Sequence, residues 1–250
     1  MLIEKAIRIL REEGIYIFFK KSFRYFRNKF QFFLYPYFLF RIKKFHSIDI
    51  NESIDFVFDK LFLVKPAQIP EEIFQLLQIL KERKPKVILE IGTAKGGTLL
   101  LFSRIASRDA EIISIDLPGG KFGGGYSKWK IPLYKSFARK NQKIYLIRAD
   151  SHSQETLEKV RNILNGKKID FLFIDGDHSY QGVKRDFEMY NPVVKQGGII
   201  AFHDIVSGPE ELVGGVPEFW KEIKENNSGY QEIVKDWNQG GYGIGLLITK

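Results

Sequence analysis

The sequence predicts an α/β fold, an open doubly wound sheet of about seven strands whose last strand is antiparallel, behind a mainly helical N-terminal extension. Three observations predict it. From Pro70 onward, short apolar runs alternate with amphipathic segments, the pattern of parallel strands joined by helical crossovers. Several of these runs end in glycine or acidic turns, and open α/β sheets bind ligands at the carboxyl ends of their strands. Charge and aromatic residues crowd the opening segment instead, so the chain divides into an extension at 1–69 and an α/β domain at 70–250.

Pro70, Glu71 and Glu72 read as a first helical turn, because proline tolerates that position and carboxylates suit the positive helix end. That helix is expected to end near Lys84, before Pro85. Val87 to Ile91 is a buried strand, followed by Gly92 and a helix from about Gly96 to Arg108. Glu111 to Leu117 is the second strand, Pro118 to Tyr126 a glycine-rich loop, and Trp129 to Arg139 a helix. Lys143 to Ala149 and Ser153 to Asn165 form the third strand and its helix. Ile169 to Ile174, Tyr180 to Tyr190 and Gly198 to Phe202 continue the alternation. A helix from Val216 to Glu225 and two closing strands, Gln231 to Lys235 and Tyr242 to Thr249, end it as a β-hairpin. The whole is Rossmann-like.

The 250 residues contain no cysteine, which excludes disulfides, thiolate nucleophiles and Cys-ligated zinc and points to the cytoplasm. Of the formal charge of +9, the first 45 residues hold +8, from eleven Lys and Arg against Glu4, Glu12 and Glu13. The rest is nearly neutral, which argues against nucleic acid as a partner. Tyr16, Phe18, Phe30, Phe32, Phe33, Tyr35, Tyr37, Phe38 and Phe40 share the charged segment. Its longest apolar stretch, Phe30 to Phe40, is broken by Gln31 and Pro36 and is short of the roughly 20 residues that span a bilayer. Two uses remain open: attachment to the inner face of an anionic membrane, or packing of the aromatics on the α/β domain or in a homo-oligomer. Phe19, Phe23, Phe26 and Phe30, at helical spacing, suit either.

The turn after the first strand reads Glu90-Ile91-Gly92-Thr93-Ala94-Lys95-Gly96-Gly97-Thr98. Glycine at 92 permits positive φ, and glycine at 96 permits close approach to a ligand. Ala94 stands where a dinucleotide loop needs its middle glycine, and an acid precedes the turn, which suits a sulfonium or ammonium better than a pyrophosphate. A Gly-Lys-Ser/Thr phosphate loop is absent. Asp116, ending the second strand, is placed to accept both hydroxyls of a ribose. Together with Ala149-Asp150-Ser151 after the third strand, these residues resemble the cofactor motifs of class I S-adenosylmethionine-dependent methyltransferases. The resemblance implies that Glu90, Gly92, Thr93 and Gly96 surround the methionine portion of the cofactor. It likewise implies that Asp116 holds the ribose, and that Asp150 and Ser151 border the adenine.

Strand four runs into Ile174-Asp175-Gly176-Asp177-His178-Ser179-Tyr180 and strand five into Ala201-Phe202-His203-Asp204, so two acids and two imidazoles meet at one sheet edge. Such a set can hold a divalent ion or move a proton. These segments are similar to those of metal-dependent sugar O-methyltransferases and cephalosporin-hydroxylase-like proteins, over roughly Pro70 to Lys250. That likeness implies Asp175 and Asp204 as magnesium ligands and His178 as catalytic base, with Asp175 in the catalytic set. His203 stands where those relatives place the first of two acids, either as a third ligand or as a structural histidine. Asp177 is expected to cap the following helix. The stretch Gly119 to Tyr126 is either a lid or a plain linker. The function implied is methylation of a hydroxyl on a sugar, polysaccharide or glycosylated small molecule. The alternative is a non-catalytic protein that keeps the fold to bind cofactor or assemble at a membrane.

Overall fold

The structure, a computed structural model, describes residues 10, 11, 14, 15, 18, 22, 32–119 and 125–250. It comprises two compact units, Met1–Lys44 and Phe45–Lys250. In the first, helix α1 (Tyr35–Lys44) carries Arg41, Lys43 and Lys44 in its last turn, where cations complement the negative helix end. Phe32, Phe33, Tyr37 and Phe40 are exposed. The spacing of Phe19, Phe23, Phe26 and Phe30 lies outside the described residues, as does most of the glycine-rich stretch after Gly119. Among the described residues, no helix is long and apolar enough to cross a membrane.

The second unit starts at Phe45, well before the boundary expected at 69/70. The reason is helix α2 (Ile50–Asp59), capped by the Asp49 carboxylate, which buries Ile54, Val57 and Phe58 and packs on the two helices that follow. These are α3 (Pro70–Arg83) and α4 (Gly97–Ile105). Every residue of α4 is buried, so a helix this apolar needs cover on the face turned away from the sheet.

Seven strands follow: β1 (Val87–Ile91), β2 (Glu111–Ile115), β3 (Lys143–Ile147), β4 (Ile169–Ile174), β5 (Val194–His203), β6 (Tyr230–Ile233) and β7 (Ile244–Ile248). The remaining helices are α5 (Ile131–Lys135), α6 (Gln154–Leu164), α7 (Tyr180–Tyr190), α8 (Glu210–Val213) and α9 (Val216–Asn226). The sheet order is β3-β2-β1-β4-β5-β7-β6, with β7 antiparallel to both neighbours, which is the Rossmann-like arrangement expected. Strand order reverses between β1 and β4, where chain crossovers depart to opposite faces and leave a crevice. All five residues of β1 are buried, as a strand covered by helices on both faces requires.

Two elements depart from expectation. The helix expected over Trp129 to Arg139 is a 3₁₀ turn at Lys128–Lys130 followed by α5 alone, because the amides of Ser136, Phe137 and Ala138 bond three residues back. Strand β5 begins at Val194 rather than Gly198, since Val194 pairs with Ile169 before a register shift.

Candidate functional site

The parallel register brings Ile91, Ile115, Ile147, Ile174 and His203 to one edge of the sheet. The loops leaving that edge enclose a cleft of about 570 Å³. Gly92, Asp116, Asp150 and Ser151 line one part of it, and Asp175, His178, His203 and Asp204 another.

The turn after β1 is set by packing. Gly92 sits at φ +99°, and a Cβ there would overlap the carbonyl of Asp175 on the neighbouring strand. Gly96 sits at φ +83°, with the Tyr134 ring 2.8 Å from where its Cβ would be. Between them Ala94 adopts φ +44°, a conformation costing a non-glycine residue roughly 1–2 kcal/mol. Its N–H donates to Asp116 Oδ2 at 2.8 Å, and that of Gly125 donates to Oδ1 at 2.9 Å. Asp116 thereby ties the two loops together. Each of its oxygens keeps a second acceptor site. Burial, partly countered by these amides, pushes its carboxyl up to about 6.

Glu90 and Thr93, expected beside the ligand, do not line the cleft. Glu90 is fully buried and accepts from Ser114 Oγ at 2.6 Å and from Thr98 Oγ1 at 2.5 Å, while the Thr93 hydroxyl meets Ser114 Oγ. Burial, partly countered by the Ser114 and Thr98 hydroxyls, pushes the Glu90 carboxyl up to about 8, and these bonds make it a brace inside the turn. Gly96 supports the turn from the Tyr134 side. Ser114 escaped the sequence reading, though a lone hydroxyl in the run Glu111-Ile-Ile-Ser-Ile was its signal.

After β3, the exposed Asp150 accepts from the His152 amide at 2.9 Å, and the Ser151 carbonyl accepts from Tyr190 Oη at 2.8 Å. His152 also lines the cleft and lies 3.3 Å from the buried Asp186, a pairing that raises its pKa.

The second constellation converges. His178 Nε2 lies 3.3 Å from Asp175 Oδ1, and His178 Nδ1 lies 3.4 Å from Asp204 Oδ2. His203 Nδ1 lies 3.3 Å from Asp175 Oδ1 and 3.1 Å from Asp204 Oδ2. Burial alone would raise Asp175, but His203 and His178 outweigh it and hold that carboxyl well below the usual carboxylate range. Burial would lower His178, yet Asp175 and Asp204 outweigh it and push the imidazole up to about 9. The same carboxylates raise His203. His178 Nδ1 also meets the Leu212 carbonyl at 2.5 Å, which fixes the tautomer with Nε2 as the basic nitrogen. Asp204 has φ +64° and accepts at Oδ1 from the Tyr242 amide at 3.0 Å, with Tyr242 itself at φ +61°. As at Ala94, a strained residue donates its N–H to an acid of the site, so the strained backbone at Ala94 and at Tyr242 is held by a bond to a site carboxylate.

Gln68, just before α3, donates Nε2 to Asp175 Oδ2 at 3.2 Å and is 8% exposed. No sequence signal marked it. Asp177 accepts from the Ser179 amide at 2.9 Å, while the Ser179 side chain is the cap of α7, so the capping expected of Asp177 is shared.

The donor atoms of Asp175, His178 and Asp204 lie within 4.8 Å of one another, close enough for one ion, whereas the expected ligand set had His203 in place of His178. Magnesium wants oxygen ligands in near-octahedral array. Here every oxygen of both carboxylates already has a nitrogen within 3.4 Å, and the remaining groups are imidazoles. The set does not fit magnesium.

Residues 89–205 match the family described as methyltransferase domain. An uncharacterized protein of Acanthamoeba polyphaga mimivirus is 32% identical over 126 residues, 49% of this chain and 53% of that protein. One from Sinorhizobium fredii is 27% identical over 144 residues, 56% of this chain and 15% of that protein. The chain thus spans about half, or less, of the curated relatives it matches. Among solved structures, the O-methyltransferase TomG of Streptomyces achromogenes, involved in tomaymycin synthesis and in complex with S-adenosylmethionine, superimposes with TM-score 0.55 at 16% identity, covering 80% of this chain and 89% of that one. An O-methyltransferase of Bacillus cereus in complex with S-adenosylhomocysteine gives TM-score 0.55 at 18% identity, covering 80% and 90%. These likenesses establish the fold.

Proposed function

We propose that this chain, a class I methyltransferase by its fold and by the family match at residues 89–205, transfers the methyl group of S-adenosylmethionine to a hydroxyl of a sugar, polysaccharide or glycosylated small molecule. The observation that carries this reading is one cleft with Gly92, Asp116, Asp150 and Ser151 in one part and Asp175, His178 and Asp204 in the other. The first group suits the cofactor: Asp116 offers acceptor sites for two ribose hydroxyls, and Ala94, Ile115 and Leu117 supply apolar wall. The second suits a hydroxyl acceptor, with Tyr242 and Glu211 beside it to present a ring face and a carboxylate.

Bound there, S-adenosylmethionine supplies a methyl group on a sulfonium, open to in-line displacement. His178 Nε2 would take the proton from the acceptor hydroxyl as its oxygen bonds the methyl carbon and the carbon–sulfur bond breaks, leaving S-adenosylhomocysteine, and Asp175 at 3.3 Å stabilises the resulting imidazolium. The Leu212 carbonyl and Asp204 hold the ring in place. Positioning of the two reactants is worth roughly 7–11 kcal/mol, more than the base itself contributes.

Labelled S-adenosylmethionine offered with a panel of glycan acceptors tests this reading. Label is expected to appear on a hydroxyl with wild type. Asp116→Ala is expected to weaken S-adenosylhomocysteine binding by at least about tenfold, since charge-assisted hydrogen bonds are worth about 1.5–3 kcal/mol each. Unchanged affinity in calorimetry would reject the ribose assignment.

The exposed Phe32, Phe33, Tyr37 and Phe40, together with Arg41, Lys43 and Lys44 in the last turn of α1, support peripheral attachment of the N-terminal unit to an anionic membrane. Each cation near such a surface contributes about 1 kcal/mol. The full chain is therefore expected to co-sediment with vesicles rich in phosphatidylserine and not with neutral ones, and loss of that difference in Phe33→Ser/Phe40→Ser double variants would locate it. No binding to anionic vesicles at low salt would refute the attachment.

A further inference from the structure

Each of the four oxygens of Asp175 and Asp204 has a nitrogen partner. Gln68 takes Asp175 Oδ2 at 3.2 Å and the Tyr242 amide takes Asp204 Oδ1 at 3.0 Å. The two inner oxygens face both imidazoles, and His203 Nδ1 bridges them at 3.3 and 3.1 Å. His203 is the last residue of β5 and is 4% exposed. Its ring is flanked by Phe173 and Tyr242, with centroids 6.3 and 6.0 Å away. Neither ring nitrogen of His203 makes a well-aligned hydrogen bond, so what ties this ring to the acids is the ion-pair approach of Nδ1 to both of them.

Two carboxylates this close repel one another unless something positive or proton-donating lies between them. A divalent ion is one solution, and an imidazole ring set between them at ion-pair distance from both is another. We propose that the His203 ring takes the place of a divalent ion between Asp175 and Asp204, closing this site to magnesium and leaving it a metal-free cluster built from protein donors. The role of the cluster in methyl transfer rests on the function proposed above; whether it admits a metal is measured independently of it. Metal exclusion would also leave the acceptor hydroxyl to His178, without a Lewis acid to acidify it.

The test is titration of Mn²⁺ into the full-length protein, followed by electron paramagnetic resonance and calorimetry, with S-adenosylhomocysteine binding measured on the same sample. Wild type is expected to take up no stoichiometric Mn²⁺ up to about 1 mM, the weak end of protein sites for hard cations. His203→Asp replaces the bridge with a third carboxylate and is expected to gain one Mn²⁺ below about 0.1 mM. His203→Asn vacates the ring position with little added charge, and serves if the aspartate variant does not fold. One Mn²⁺ bound tightly by wild type overturns the inference. So does a folded His203 variant, judged by retained S-adenosylhomocysteine binding, that still excludes the ion. A wild type that binds neither S-adenosylhomocysteine nor Mn²⁺ would sink the proposed function and leave the metal exclusion standing.

Discussion

Replacing His178 with alanine is expected to lower kcat by about 10²–10⁴-fold while changing S-adenosylhomocysteine affinity by less than about threefold. The imidazole faces Asp175 and Asp204, whereas Asp116 and Asp150 are the residues assigned to the cofactor. The pH profile carries a second mark of the same residue. A base works in its neutral form, and the two carboxylates push His178 up to about 9, so its charged form persists through neutral pH. Wild-type kcat/KM is therefore expected to climb with pH up to about 9 and to fall as pH drops below it, instead of levelling off just above the ordinary histidine value. A flat profile between pH 7 and 9, or a His178→Ala variant with wild-type turnover, would remove His178 from the reaction.

Gly92→Ala is expected to be the most damaging single methyl among the described glycines. Its Cβ would overlap the Asp175 carbonyl, and its φ of +99° is a region alanine rarely adopts. The obstacle is backbone on the adjacent strand, so no rotamer change relieves it. The amide of Gly92 also bonds to Ile115 O at 2.9 Å and that of Asp175 to Ile91 O at 2.8 Å, so relief by movement would break pairing on both sides of β1. A loss of about 3 kcal/mol or more is expected, a drop of roughly 6–12 °C in melting temperature for a chain of this length. A Gly197→Ala control meets no neighbour within 4 Å and carries the φ penalty alone. Equal melting temperatures for the two variants would show that the close approach of β1 to Asp175 has no energetic consequence.

The alternation of apolar runs and helices was legible from the residues themselves. β1, β4 and α7 carry the bounds read from the sequence, because each is a run long enough for burial to enforce its period and is ended by glycine, an acid or a cap. The antiparallel last strand was legible for a related reason, since a short connection from β6 cannot cross the sheet. The start of β5 was not, because pairing of Val194 with Ile169 depends on a register shift in the partner strand.

At the site, the sequence by itself determined which residues reach the cleft edge: Gly92, Asp116, Asp150, Asp175, His178, His203 and Asp204 all end or follow strands, and strand ends in a parallel sheet share an edge. It could not determine how those groups divide the work. Glu90 looked like a ligand for a charged cofactor, yet in the folded chain its oxygens are consumed by Thr98 and Ser114 and burial favours its proton. Gln68 and Leu212 bear on Asp175 and His178 from 107 and 34 residues away, separations at which no local pattern operates. Whether an acid binds a ligand or braces a loop depends on what stands against each of its oxygens, and only tertiary packing sets that.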